Sequence, residues 1–158
     1  MNWLAIISSG FVGTTLALGF FWLGRSFQWT SFSPTIQLGC IVSPDPRRPL
    51  TETIGVTIIY LVGSTLAPAL LTALLPLWSG PAWIGGLLFG GLLGVAAAAA
   101  LPILGMISAC IRLGFVTPPG RFGLEWGKPT PAIVIIGHMV YGAVVAAIFA
   151  GFSMKGGV

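Results

Sequence analysis

Residues 82–101 read AWIGGLLFGGLLGVAAAAAL, twenty residues without a charge, with glycine at 86, 90 and 94 and alanine at 98. At about 1.5 Å rise per residue, twenty helical residues reach about 30 Å, the thickness of a bilayer's hydrocarbon core. Positions four apart share a helix face, so Gly86, Gly90 and Gly94 form one stripe. In lipid, where no hydrophobic drive separates helix from solvent, such a stripe lets two backbones approach closely and supplies the packing energy instead. The segment is read as a transmembrane helix whose contact face is the small-residue stripe, with the alanines at 96–100 widening it.

The rest of the chain obeys the same solvent. Of 158 residues, 56% are apolar and only seven bases and three acids are present, too few to cover a soluble fold. An ordinary soluble enzyme and a disordered chain are both excluded. The length admits four or at most five spans, and four are read: about 3–23, about 53–78, 82–101 with a helical extension to 113, and about 131–152. The expected fold is an all-α membrane protein, a single bundle of four transmembrane helices over residues 1–158. Trp3 and Trp22 sit near the ends of the first span, where indole rings prefer the headgroup level. This span has neither a basic leader nor a small-residue cleavage site, so it is read as retained. Pro68 lacks the N–H that would serve the carbonyl of Ser64 and should kink span two, with Ser64 and Thr65 placed to relieve the freed backbone. The turn Trp78-Ser79-Gly80-Pro81 makes spans two and three antiparallel neighbours. Pro102 marks a kink or break in the third. Two longer connections are rich in proline and charge, and in the first Ser33-Pro34 starts a short interfacial helix over 34–42, proline standing at its first position.

Charge distribution orients the chain. The long loops hold Arg25, Arg47, Arg48, Arg112, Arg121 and Lys128, whereas the side of the termini holds only Lys155. The positive-inside rule then puts the loops in the cytoplasm of a bacterial inner membrane and the termini outside. Cys40 and Cys110 lack any paired-ligand spacing and are read as free thiols in or near the reducing compartment. Scattered bases do not make a nucleic-acid surface. The partners expected are the bilayer and larger integral membrane proteins.

Few residues carry chemistry. His138 is the only histidine, and on a helix it shares a face with Tyr141, Gly142 and Ala146. An imidazole inside a span points into the protein, where it can bridge helices by hydrogen bonds, relay protons, or give one axial bond to a chlorophyll-type pigment or a haem. A bis-histidine haem or a structural zinc site cannot be assembled from one histidine. Tyr60, Ser64 and Tyr141 form a candidate polar cluster, each hydroxyl equally serviceable as a donor to a backbone carbonyl. No nucleophile has both an acid and a base, because Asp45, Glu52 and Glu125 lie in loops or at a helix start. No catalytic residue, metal site or required cofactor is expected, and the chain is read as a non-enzyme.

The opening Met1-Asn2-Trp3-Leu4 with Gly10, Val12, Gly13 and Thr14, the glycine-rich central span, and Gly137-His138-x-x-Tyr141-Gly142-Ala143-Val144 resemble a group of small four-helix bacterial membrane proteins without an established activity. The resemblance implies four spans and a role for His138 and Tyr141. The proline-rich stretch 44–49 departs from that group. Taken together, the residues lead to a non-catalytic membrane subunit packed against larger membrane proteins through Gly86, Gly90, Gly94 and Gly142, with a respiratory or photosynthetic energy-transducing complex as the partner class. The alternatives are a small transporter or channel with a path past His138, Tyr141 and Ser64, and a pigment- or haem-binding protein using His138.

Overall fold

The computed structural model describes residues 2–155. The described chain is all-α, about 80% helical. Its elements are α1 (Trp3–Ser26), α2 (Pro34–Val42), α3 (Pro49–Leu61), a π-helical turn (Val62–Leu66), α4 (Ala67–Leu74), α5 (Ala82–Ile107), α6 (Ala109–Arg112) and α7 (Thr130–Lys155). Four stretches are long and apolar enough to cross a membrane: Trp3–Ser26, Pro49–Leu77, Ala82–Ile107 and Thr130–Ser153.

Boundaries differ from expectation where proline was weighed too simply. The second span starts at Pro49, because proline fits the first turn of a helix whose early N–H groups have no partner anyway. Pro102 does not break the third, which continues through it to Ile107; the break comes at Ser108, where the backbone turns extended before α6. The helix Pro34–Val42 forms as read, with proline in its first turn, but Ser33 does not cap it through its side chain. That hydroxyl pairs instead with Thr35 Oγ1 at 3.1 Å.

Helix faces follow the 3.6-residue period. In α1 the buried positions include Ala5, Ser9, Gly13, Ala17, Phe21 and Gly24, and in α7 Val134, Gly137, Tyr141, Val145 and Ala146. Buried positions in α5 are fewer, and apart from Gly85 they are Gly86, Gly90, Gly94, Ala98 and Leu101, one narrow stripe. The alanine run does not widen it: Ala96, Ala99 and Ala100 are exposed, since a 100° step per residue turns neighbours of a stripe away from it.

The chain forms two compact units. The first comprises residues 1–19, 60–94 and 135–158, the second 20–59 and 95–134. The first has an apolar centre of Ala17, Leu71, Tyr141, Val145 and Ala146. The second centres on Phe21, Phe32, Leu101, Trp126, Ile133 and Val134, with Phe32 stacked on Trp126 at 5.3 Å between ring centres. Its loops are fixed by hydroxyl and carbonyl contacts: Thr30 meets Thr130 at 2.7 Å, and the carbonyl of Trp126 accepts from the Ser31 N–H at 2.8 Å.

In the second unit the free-thiol reading is overturned. Cys40 of α2 and Cys110 of α6 form a disulfide, with 5.5 Å between their Cα atoms. They lie 70 residues apart in sequence, so no local spacing announces the bond; only the packing of α2 beside α6 does. On its other side α2 packs closely on α3, Gly39 of α2 abutting the carbonyl of Thr51 and Gly55 of α3 abutting the carbonyl of Thr35. Thr51 also donates its hydroxyl to Ser43 Oγ at 2.5 Å, drawing the turn between α2 and α3 shut.

Candidate functional site

The polar residues of the first unit meet at the π-helical turn, for a reason that starts with Pro68. In an α-helix the N–H of Ala67 would serve the carbonyl of Gly63, but here it donates to Val62. The next donor that a π register offers Gly63 is residue 68, a proline, which has none. The orphaned carbonyl is therefore that of Gly63, one residue earlier than the α register implies. Tyr141 Oη donates to it at 2.8 Å from α7. Thr65, expected to relieve the backbone freed by Pro68, instead bonds back to the Leu61 carbonyl at 2.6 Å.

Helix α1 completes the contact by having almost no side chain there. A Cβ on Gly10 would fall 2.6 Å from Pro68 Cγ and 2.8 Å from Ser64 Cα, and one on Gly13 would fall 2.8 Å from Val145 Cγ2 and 3.2 Å from the Tyr141 ring. Thr14 lies against Gly63 in turn. The hydroxyls of Thr14 and Ser64 are buried and make no hydrogen bond among the described residues. Sequence reasoning assigned no packing role to Gly10, Gly13 and Thr14, although small residues three and four apart were the available signal.

Tyr60 is not brought to Ser64 and Tyr141. Its hydroxyl pairs with Thr15 Oγ1 at 3.0 Å on an exposed face, and its ring packs against Phe11 at 5.1 Å. His138 is partly buried. Its carbonyl abuts Gly90, and its Cβ lies 3.1 Å from where a Cβ on Gly94 would be. Gly86 abuts the carbonyl of Gly142, and a Cβ on Gly142 would lie 3.0 Å from Gly90 Cα. The stripe on α5 thus meets backbone on α7, with Gly142 as its counterpart. Chemically the arrangement is a donor–acceptor closure of a helix defect flanked by two backbone-to-backbone seams. Among the described residues no group of three His, Cys, Asp or Glu side chains could hold a metal ion. No family model, no curated protein and no solved structure matches this chain.

Two substitutions separate seam from surface. Gly90→Leu should lower stability by about 1–3 kcal/mol, since its side chain has only the His138 backbone to enter. Leu92→Met, on an exposed position, should stay within about 0.5 kcal/mol. Denaturation in detergent followed by helical circular dichroism measures both, and equal stabilities would mean that the stripe is not a packing seam.

Removing the hydroxyl in Tyr141→Phe should cost about 1 kcal/mol, the usual worth of an interhelical hydrogen bond in lipid. In a Pro68→Ala background, which restores a backbone N–H, the same change should cost close to nothing. An undiminished cost in that double-mutant cycle would show that Tyr141 does not compensate for the proline.

Proposed function

We propose that this protein is a non-catalytic integral membrane subunit that acts by packing against a larger membrane protein. The observation that carries the reading is uneven burial. Only 22% of the most apolar stretch is buried in each of spans two and three, against 44% in span one and 39% in span four. Their outward residues, among them Leu61, Leu66, Leu70 and Leu92, are large and apolar. The distinctive polar residues are meanwhile spent on the chain's own backbone and hydroxyls, as Tyr141 is on Gly63 and Tyr60 on Thr15. Two clefts of the second unit, one around Arg25 and Glu125 and one around Pro102 and Pro119, are lined by neither His138, Tyr141 nor Ser64. Gentle extraction followed by sizing and crosslinking should recover the chain with a larger membrane protein. Recovery as a monomer active by itself would overturn the proposal.

We further propose that the loop-bearing side faces an oxidising compartment, reversing the side expected from the six loop bases. A disulfide joining two fully buried cysteines persists where thiols are not continually reduced. In unreduced protein Cys40 and Cys110 should resist maleimide. An impermeant reagent applied to intact cells should modify Thr117→Cys and spare Ser153→Cys. The opposite labelling pattern would return the loops to the cytoplasm.

A further inference from the structure

The second unit contains a cleft of about 680 Å³ that no packing role accounts for. Its wall begins at the end of α1. The N–H of Trp29 bonds the carbonyl of Gly24 at 2.9 Å, and the N–H of Gln28 bonds that of Arg25 at 2.9 Å. This pair is a Schellman cap, with position 28 left-handed at φ 59°. Glycine is the usual residue at such a position. Here glutamine occupies it, so the chain accepts backbone strain and places an amide side chain on the cleft wall. Another part of the lining is Glu125, Trp126 and Gly127. It is pinned by the bonds from Ser31 to the Trp126 carbonyl and from Trp126 Nε1 to Thr117 at 2.8 Å.

The cleft holds one cation and one anion that do not neutralise each other. Arg25 and Glu125 both line it, and among the described residues they make no ion pair within 4 Å. Two exposed indoles also line it, Trp22 and Trp29, 66% and 53% exposed, with Phe27 stacked on Trp29 at 5.2 Å. Exposed indoles at the end of a span mark the headgroup level of a bilayer. A ligand suited to this cleft carries a phosphate for the Arg25 guanidinium and a cation for Glu125. A carboxylate accepts hydrogen bonds, so it favours a primary ammonium, which donates three, over a trimethylated one, which donates none. Aromatic faces add attraction for the same cation.

We propose that this cleft binds the phosphoethanolamine headgroup of a membrane phospholipid, Arg25 taking the phosphate, Glu125 the ammonium, and the indoles flanking both. The bilayer supplies that zwitterion at high local concentration beside the end of span one. The proposal does not depend on the identity of any protein partner.

Native mass spectrometry of the full chain in detergent tests it, with phosphatidylethanolamine, phosphatidylcholine and phosphatidylglycerol added at matched concentrations. Phosphatidylethanolamine should be retained roughly three- to fivefold better than either of the others, the range expected from one exposed charge pair. Glu125→Gln should erase the preference over phosphatidylglycerol, whereas Arg25→Gln should weaken retention of all three. Unchanged helical circular dichroism and an intact disulfide would certify each variant as folded. Soluble glycerophosphoethanolamine should bind far more weakly than the lipid. Retention indifferent to headgroup, or to both substitutions in folded protein, overturns the site, and soluble ligand binding as tightly as lipid would reassign it to a free phosphoamine.

Discussion

The carbonyl of Gly63 has lost its helical partner in a segment where no water can replace it, and the first unit is arranged around that loss. Pro68 removes one donor, and the π register diverts another to Val62. An unpaired backbone group in hydrocarbon costs several kcal/mol, roughly an ordinary protein's margin against one bad mutation. Tyr141 supplies the missing donor from a helix remote in sequence. For its hydroxyl to reach, α1, α7 and the π turn must approach closely, and this is why Gly10, Gly13 and Gly63 stand where a Cβ would collide. One hydrogen bond and three glycines therefore form a single solution to one covalent constraint.

The second unit solves a different problem. Its connections carry prolines, acids and bases and cannot cross lipid, so they need fixing by means that work in contact with water. A disulfide ties α2 to α6, threonine and serine hydroxyls tie loop to loop, and a stacked phenylalanine–tryptophan pair fills the space between. Loop order of this kind has a consequence at the surface. Arg25 and Glu125 line one open cleft there without forming an ion pair within 4 Å.

These two styles of cohesion bear on function together. In the spans, the Tyr60 and Tyr141 hydroxyls are used within the fold, and much of the outward surface is large and apolar. In the loops, charged and aromatic groups remain accessible. The membrane-crossing stretches thus present apolar surface and the connections present charged and aromatic groups, the division a bilayer imposes on any spanning helix.

Much of this is legible in the sequence. The absence of charge over 82–101 and its equivalents dictates four helices, since only internal hydrogen bonding survives in lipid. The stripe Gly86, Gly90, Gly94 was legible for the same reason: helical period is a property of the backbone and does not wait for a partner. Whether Pro102 breaks or merely bends the third span was not, because that depends on what can satisfy the carbonyls around the proline. Nor was the role of Gly10 and Gly13, which depends on the neighbour that fills their space. The sequence by itself determined the solvent, the number of spans and the small-residue stripe of the third. Tertiary structure alone decided that Cys40 meets Cys110, that Tyr141 rather than Ser64 relieves Pro68, and that Arg25 and Glu125 share a cleft. Each of those pairs is distant in sequence, and the meeting of distant groups is set by how helices pack, a property of no single segment.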